Sequence, residues 1–295
     1  MISPTDVILN ADGSVYHLGL LPHQIAETII FVGDPERVGD VSKHFDKIEV
    51  NVSRREFVTH TGYVGDKKIS VISTGIGADN VEIVLQELDL LVNFDFETRE
   101  FRQKNLKSLH IIRIGTSGSI QENISINTFL ISKMAVGMDN LMNFYDAEQN
   151  SREYDMSDGL TNYLEQKADD LLLMPYAFEA DKTLFQLFEA DKTNFSTGCT
   201  LTAPGFYAPQ GRKMRGKVTE PKLLTILKDF KKGQTVITNL EMETAAIYGM
   251  ARLLGHRAVS LNAILANRVT NEFSETPKET VEKLIEIALQ HIVKL

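Results

Sequence analysis

Arg113 stands inside an apolar run, His110-Ile111-Ile112-Arg113-Ile114-Gly115, where an unpaired guanidinium would be very costly to bury. It therefore demands an anion, and the residues alone leave a protein carboxylate and a bound ligand as even alternatives. The planar arginine fork matches phosphate oxygens, and Thr116 would add a hydroxyl donor to the same anion. Gly33-Asp34-Pro35-Glu36-Arg37-Val38 is a second anion-binding candidate. Pro35 suits a first helical turn, Gly33 lets backbone approach a ligand, and a helix N-terminus offers free N–H groups. Arg37 would complete an oxyanion site there. The segment also describes a plain helix start with a surface arginine, which spacing alone favours.

Two further segments carry polar chemistry. Asn239-Leu240-Glu241-Met242-Glu243-Thr244-Ala245-Ala246 precedes an apolar helix. Thr238-x-x-Glu241 fits a capping box, and acids suit a helix N-terminus. The functional reading is a carboxylate that accepts hydrogen bonds from both hydroxyls of a ribose diol. Glutamates two apart do not share a helix face, which argues against an acid/base carboxylate pair. Phe206-Tyr207-Ala208-Pro209-Gln210-Gly211-Arg212 combines a stacking ring, an amide with donor and acceptor, and a cation. That set would read the edge of a planar heterocycle, although an ordinary exposed loop has the same composition.

Positioning these residues falls to alternating strands and helices. Thr28–Val32 predicts a buried strand ending at Gly33-Asp34-Pro35; Ile69–Ser73 another, ending at Gly75-Ile76-Gly77. A helical pattern follows through Val81, Val84, Leu85 and Leu88. Leu109–Ile114 predicts a strand ending at Gly115-Thr116-Ser117-Gly118, and Phe129–Val136 and Arg257–Leu265 predict two more. Thr276–Leu295 predicts a closing helix with Val281, Leu284, Ile285, Ala288, Ile292 and Leu295 on one face. This is the pattern of an α/β sheet covered by helices, and no linker divides it. Strands ending in glycine turns are where open α/β folds place ligands, yet neither the dinucleotide fingerprint nor the P-loop is present. Glu97–Lys107, dense in charge, reads as a solvated helix face. The hexapeptide Phe-Glu-Ala-Asp-Lys-Thr, at 178–183 and again at 188–193, is a local duplication and too little for a solenoid.

Composition bounds the partners. The 295 residues carry 31 basic and 40 acidic side chains, a formal charge of −9, which argues against nucleic acid and anionic membranes. A small anion needs only a few placed cations. Cys199 is the single cysteine, so no intramolecular disulfide and no cysteine-based zinc site is expected. No signal peptide or apolar run of eighteen residues is evident, and a soluble cytoplasmic protein is expected.

The assembled motifs are Tyr16-His17-Leu18-Gly19-Leu20, Gly-Asp-Pro-Glu-Arg at 33–37, Arg54-Arg55-Glu56-Phe57, Ser73-Thr74-Gly75-Ile76-Gly77, Arg113-Ile114-Gly115-Thr116 and Glu241-Met242-Glu243. In this order they resemble the nucleoside phosphorylase family of trimeric and hexameric enzymes, in its uridine phosphorylase branch. The resemblance runs to Asn267-Arg268 and implies a three-layer α/β/α fold with a mixed central sheet, in a single domain spanning 1–295. It implies phosphate binding by Gly33, Arg37, Arg113 and Thr116, with Arg55 reaching the phosphate of a neighbouring subunit. His17 would reach that neighbour's ribose; Glu243 would hold the ribose hydroxyls, with Met242 and Thr116 beside the sugar. Gln210 and Arg212 would bond the pyrimidine edge, among Phe206, Ser117, Gly118, Glu241 and Arg268. Arg37, Arg113, Glu243, Gln210 and Arg212 would then carry catalysis.

The implied reaction is reversible phosphorolysis of uridine to uracil and ribose 1-phosphate, with phosphate as co-substrate and no cofactor or metal. The implied assembly is a homo-oligomer with its site shared across a dimer interface, a hexamer among the assemblies open to it. Ile264-Leu265-Ala266-Asn267-Arg268 lacks the aspartate that purine-preferring relatives carry there. Ala78-Asp79-Asn80 replaces smaller residues after Gly-Ile-Gly, which argues against a monovalent-cation site between subunits. Pro209 stands where relatives often have glycine, and extra sequence appears around 90–107 and 138–150. Competing readings are a phosphorylase for a purine or deoxypyrimidine nucleoside, a nucleosidase, and a nucleoside-binding paralogue without turnover. Three arginines at the nucleophile site argue against the nucleosidase.

Overall fold

Alternation of side chains along the buried strands divides the interior into two cores. In Thr28–Val32, Ile29 and Phe31 feed one cluster while Ile30 and Val32 feed the other. The computed structural model describes residues 2–168 and 170–295. Its strands are β1 Thr28–Val32, β2 Lys47–Arg54, β3 Phe57–Val64, β4 Lys67–Ser73, β5 Phe94–Asp95, β6 Glu100–Phe101 and β7 His110–Ser119. They continue as β8 Phe129–Gly137, β9 Tyr176–Glu179, β10 Phe195–Thr202, β11 Lys231–Lys232, β12 Thr235–Glu241, β13 Arg257–Asn267 and β14 Glu272–Phe273. The helices are α1 Pro35–Ser42, α2 Ala78–Asn93, α3 Ser151–Lys167, α4 Lys182–Glu189, α5 Leu223–Asp229, α6 Thr244–Leu253 and α7 Pro277–Ile292.

The main sheet is mixed, in the order β11-β12-β10-β8-β13-β7-β1-β4-β3-β2. β1 is parallel to both β4 and β7, and β7 to β13. β12 pairs parallel with β10 and antiparallel with the end of β7, so β7, β13, β8, β10 and β12 close into a ring. Helices α2 and α6 cover one face; α1, α4 and α7 cover the other. A third cluster packs α3 and α5 against β10 and β12. This is the expected three-layer α/β/α fold with a mixed central sheet.

Local chemistry sets the element ends. Asp34 caps α1 by accepting from Glu36 N at 2.9 Å, with Pro35 in the first turn as expected. In α7 the expected face is buried at Val281, Leu284, Ile285, Ala288 and Ile292.

Three expectations need correction. β7 does not stop at Gly115: it continues to Ser119, because β13 supplies a parallel partner as far as Ser119 and β12 an antiparallel one. The segment 97–107 contains no helix. Asp95 Oδ1 accepts from Glu97 N and Thr98 N, and Arg99 takes φ 55°, which folds the chain into the β5–β6 hairpin. Thr238 caps no helix either; it lies in β12 and donates to Cys199 O and Asn239 Oδ1. The repeated hexapeptide serves two contexts with one local device. Asp181 accepts from Leu184 N to start α4, and Asp191 accepts from Asn194 N just beyond α4.

Candidate active site

A cavity of about 680 Å³ opens at the carboxyl ends of β1, β4 and β7. Gly33, Arg37, Arg113, Thr116, Ser117, Gly118, Phe206, Gln210, Arg212, Glu241, Met242 and Glu243 all line it. Segments separated by more than two hundred residues thus meet in one space.

Arg113 resolves the question its apolar setting raised. Its Nη2 lies 2.5 Å from Glu243 Oε2 and 3.1 Å from Glu241 Oε2, and its Nη1 donates to Asn262 Oδ1 at 3.3 Å. Burial disfavours the cation, yet the two carboxylates hold Arg113 above its ordinary value. Gly115 makes this pose possible: a Cβ there would sit 1.8 Å from Arg113 Nη1. Glu243 is pushed up by burial, with Arg113 opposing and Glu241 adding to the shift. Its Oε1 accepts from Gly77 N at 2.9 Å, at the glycine turn that opens α2. Arg37 is half-buried; burial and then the charge of Arg113 lower its proton affinity. Two cations and two carboxylates therefore share one end of the cavity.

The two glutamates differ in freedom. Glu241 accepts from Thr202 Oγ1, Glu243 N, Thr244 N and Thr244 Oγ1 besides facing Arg113. That carboxylate ties β10 to the start of α6. The backbone at 241–243 lies ahead of the helix, so the helix-face argument against convergence does not apply; both carboxylates reach one guanidinium. Among the described residues, the Glu243 carboxylate bonds only Gly77 N and Arg113.

Elsewhere in the lining, 206–212 is an ordered turn and not a loose exposed loop. Gln210 is buried and closes a 3-10 turn over Ala208–Gln210, with Gly211 left-handed at φ 72°. Arg212 Nη1 donates to Gln210 Oε1 at 2.7 Å and to Phe206 O, and its Cζ lies 3.7 Å from the Phe206 ring centroid. Since Arg212 is donor-only, it fixes the amide: Oε1 faces the guanidinium and Nε2 is turned away from it. Arg212 is pushed down to about 10 by burial, with Arg268 adding to the shift, and remains a cation at neutral pH.

Three expected residues lie outside the lining. Arg268 sits behind it and donates to Gln210 O at 2.9 Å. His17 Nδ1 is 2.7 Å from Glu87 Oε1, which also accepts from the His17 backbone N. Arg55 occupies the tip of the β2–β3 hairpin with φ 55°, its Cζ 5.5 Å from the Tyr16 ring centroid. His17, Tyr16 and Arg55 form a neighbouring surface group. The lining also includes Glu56, Asn80 and Phe273, which sequence reasoning did not single out. Phe273 arrives by pairing of β14 onto Ala266 of β13, a short hairpin with no strong sequence signal. Among the described residues, His44, Glu282 and Glu286 form the one group spaced to hold a metal ion, and Lys43 already bonds Glu282. No described helix is long and apolar enough to cross a membrane.

Two arginines beside buried carboxylates and a guanidinium–amide pair, all lining one cavity, form an α/β enzyme site suited to a small polar ligand. The chain belongs to the phosphorylase superfamily, whose profile matches residues 27–294. It is 29% identical over 264 residues to a uridine phosphorylase of Thermococcus kodakarensis, covering 90% of this chain and 81% of that one. It is 27% identical over 285 residues to a DeoD-type purine nucleoside phosphorylase of Clostridium perfringens, covering 95% and 99%. Among solved structures, it superposes on a Trypanosoma brucei nucleoside phosphorylase described as showing uridine phosphorylase activity. That match has TM-score 0.88 and 29% identity, covering 98% of this chain and 100% of the other.

Proposed function

We propose that the protein catalyses reversible phosphorolysis of uridine, giving uracil and ribose 1-phosphate. The observation that carries this reading is the set of groups lining one cavity: Arg37, Arg113 and Thr116 with Glu243 and Met242, together with Gln210 and Arg212. Phosphate would bind at Gly33, Arg37, Arg113 and Thr116. Glu243 would accept from the ribose hydroxyls, with Met242 packed on the sugar. Gln210 and Arg212 would meet the uracil edge beside Phe206, Ser117 and Gly118.

A phosphate oxygen forms the new bond to C1′ as the C1′–N1 bond breaks, and the bonding pair leaves with uracil. Arg212 and the Gln210 amide face the ring on which that charge grows, and the arginines hold the nucleophile in line. The names of the relatives above support this chemistry. The residues assigned here require phosphate as co-substrate and no resident cofactor or metal. The lack of an acid in Ile264-Leu265-Ala266-Asn267-Arg268 supports a pyrimidine over a purine, and Asn267 there spends its amide on the backbone of Gln121, Ile124, Val269 and Thr270.

His17 and Arg55, outside the lining, would complete the site of a second copy, which makes the protein an oligomer with shared sites. Ile76, 69% exposed at the cavity rim, supports coverage by such a copy. A cytoplasmic location accords with a lone buried thiol. The test is release of base from a nucleoside panel with and without phosphate. Phosphate-dependent release of uracil from uridine is expected; equal release without phosphate overturns phosphorolysis, and faster cleavage of inosine overturns the base assignment.

A further inference from the structure

Behind the cavity wall runs a buried hydrogen-bond chain that leaves Arg113 and returns to the cavity at Ser117. Arg113 Nη1 meets Asn262 Oδ1 at 3.3 Å, and Asn262 Nδ2 meets Ser132 Oγ at 3.0 Å. Ser132 Oγ lies 2.5 Å from Thr200 Oγ1, which lies 3.0 Å from Asn239 Oδ1. Asn239 Nδ2 closes the path on Ser117 Oγ at 2.9 Å. Asn262, Ser132, Thr200 and Asn239 are all 0% exposed.

With the amides oriented as found, one set of directions satisfies every group in the chain. Arginine has no acceptor, so Asn262 must present its oxygen to Arg113 and its amide hydrogens to Ser132. Ser132 then accepts from Asn262, and its single hydrogen goes to Thr200. Thr200 accepts that hydrogen and gives its own to Asn239, which must offer its oxygen. The Asn239 amide group is thereby turned to Ser117, whose oxygen accepts. Ser117 has one hydrogen of its own, and its residue lines the cavity.

We propose that this chain makes Ser117 an obligate hydrogen-bond donor to the bound nucleoside, with Asn239 as the positioning residue that enforces it. The inference rests on the nucleoside reading above and deepens it. It assigns to the ligand an acceptor at Ser117, a carbonyl or ether oxygen and not an N–H or O–H hydrogen. A free serine hydroxyl would rotate to suit either; this one is committed before the ligand arrives.

Asn239→Asp keeps the oxygen that Thr200 needs and replaces the donor with an acceptor, so Ser117 must turn its hydrogen inward. Ser117→Ala removes the hydrogen altogether. Each variant is expected to lower kcat/KM for uridine about 10-fold, the worth of one ordinary hydrogen bond. The double variant is expected to lose no more than either single one, since both remove the same donor. Ser117→Thr, which keeps the hydroxyl, is expected to retain activity, and the KM for phosphate is expected to stay within about 2-fold in all four variants. If circular dichroism shows that Asn239→Asp does not fold, Ser117→Ala against Ser117→Thr carries the test, and equal kcat/KM for uridine in those two overturns the proposal. A folded Asn239 variant with wild-type kinetics, or losses that multiply in the double variant, overturns the proposal. A wild-type chain that neither binds nor cleaves uridine overturns the nucleoside reading itself, and is told apart by that.

Discussion

A single guanidinium amino group organises the cavity wall at 206–212. Arg212 Nη1 donates both to Gln210 Oε1 and to Phe206 O, while the guanidinium plane covers the Phe206 ring. Removing it takes away a cation and also releases the amide orientation that Gln210 would show to a ligand. Arg212→Ala is therefore expected to lower kcat/KM for uridine on the order of 10²–10³-fold, the loss typical of a preorganised donor at developing charge. Lysine keeps the charge but lacks the planar fork, so Arg212→Lys is expected to recover little of it. Steady-state kinetics decide the point: wild-type activity in the lysine variant would reduce Arg212 to a point charge. The wall at Arg37 and Arg113 differs in kind, because Arg113 is already neutralised by Glu241 and Glu243. There the net positive charge offered to an anion depends on Arg37 and on how tightly Glu243 keeps its partner.

Strand β7 carries the site because it continues past the point where its sequence suggested a turn. Gly115 and Gly118 serve close approach: Gly115 admits the guanidinium of Arg113, and Gly118 lies under Arg268 Cγ. Gly115→Ala is expected to displace Arg113 from Glu243 and cut kcat/KM on the order of 10²-fold, the effect of about 1 Å of misplacement. Circular dichroism and phosphate kinetics check it: an intact fold with unchanged kinetics would show that Arg113 has another pose open to it. Arg113 was legible in the sequence because a charge in an apolar run announces a partner. The identity of that partner was not, since Glu241 and Glu243 arrive from β12 and the turn beyond it, 130 residues along in the case of Glu243. Asn262 and Ser260 carry a weaker form of the same signal inside β13, because a neutral polar side chain is tolerable in a strand and demands no particular partner. The failure at 97–107 has a local cause. Charge density suggested a helix, but the Asp95 side chain offers backbone N–H groups a turn instead, and Arg99 ties that turn to the carbonyls of Ile2, Ser3 and Val7.

At the scale of the whole molecule, the expected site residues fall into two groups by the surface they occupy. His17 and Arg55 sit beside Tyr16, while Glu56, the next residue after Arg55, lines the cavity of its own chain. Glu87 holds His17 Nδ1 together with the backbone N–H groups of His17 and Leu18, so the imidazole is fixed in orientation before any partner docks. Arg55 is held in left-handed backbone, a conformation that costs a non-glycine residue about 1 kcal/mol and is kept where a tight hairpin tip is useful. Both residues are thus held in fixed positions outside the cavity that their own chain lines. If a second copy receives them, each site combines one chain's Arg37 with the other chain's Arg55. Arg37→Ala and Arg55→Ala homo-oligomers should then each be inactive. Co-expressed in equal amounts, they should regain activity, because a mixed dimer holds one site with both arginines intact and one with neither. Half of randomly formed dimers are mixed, so recovery should approach about one quarter of the wild-type rate, as two-fold symmetry requires. Size-exclusion chromatography verifies that the chains associate, and the phosphorolysis rate of the mixture gives the answer. A mixture as inactive as its parents, with mixed oligomers present, would mean that each chain builds its site alone.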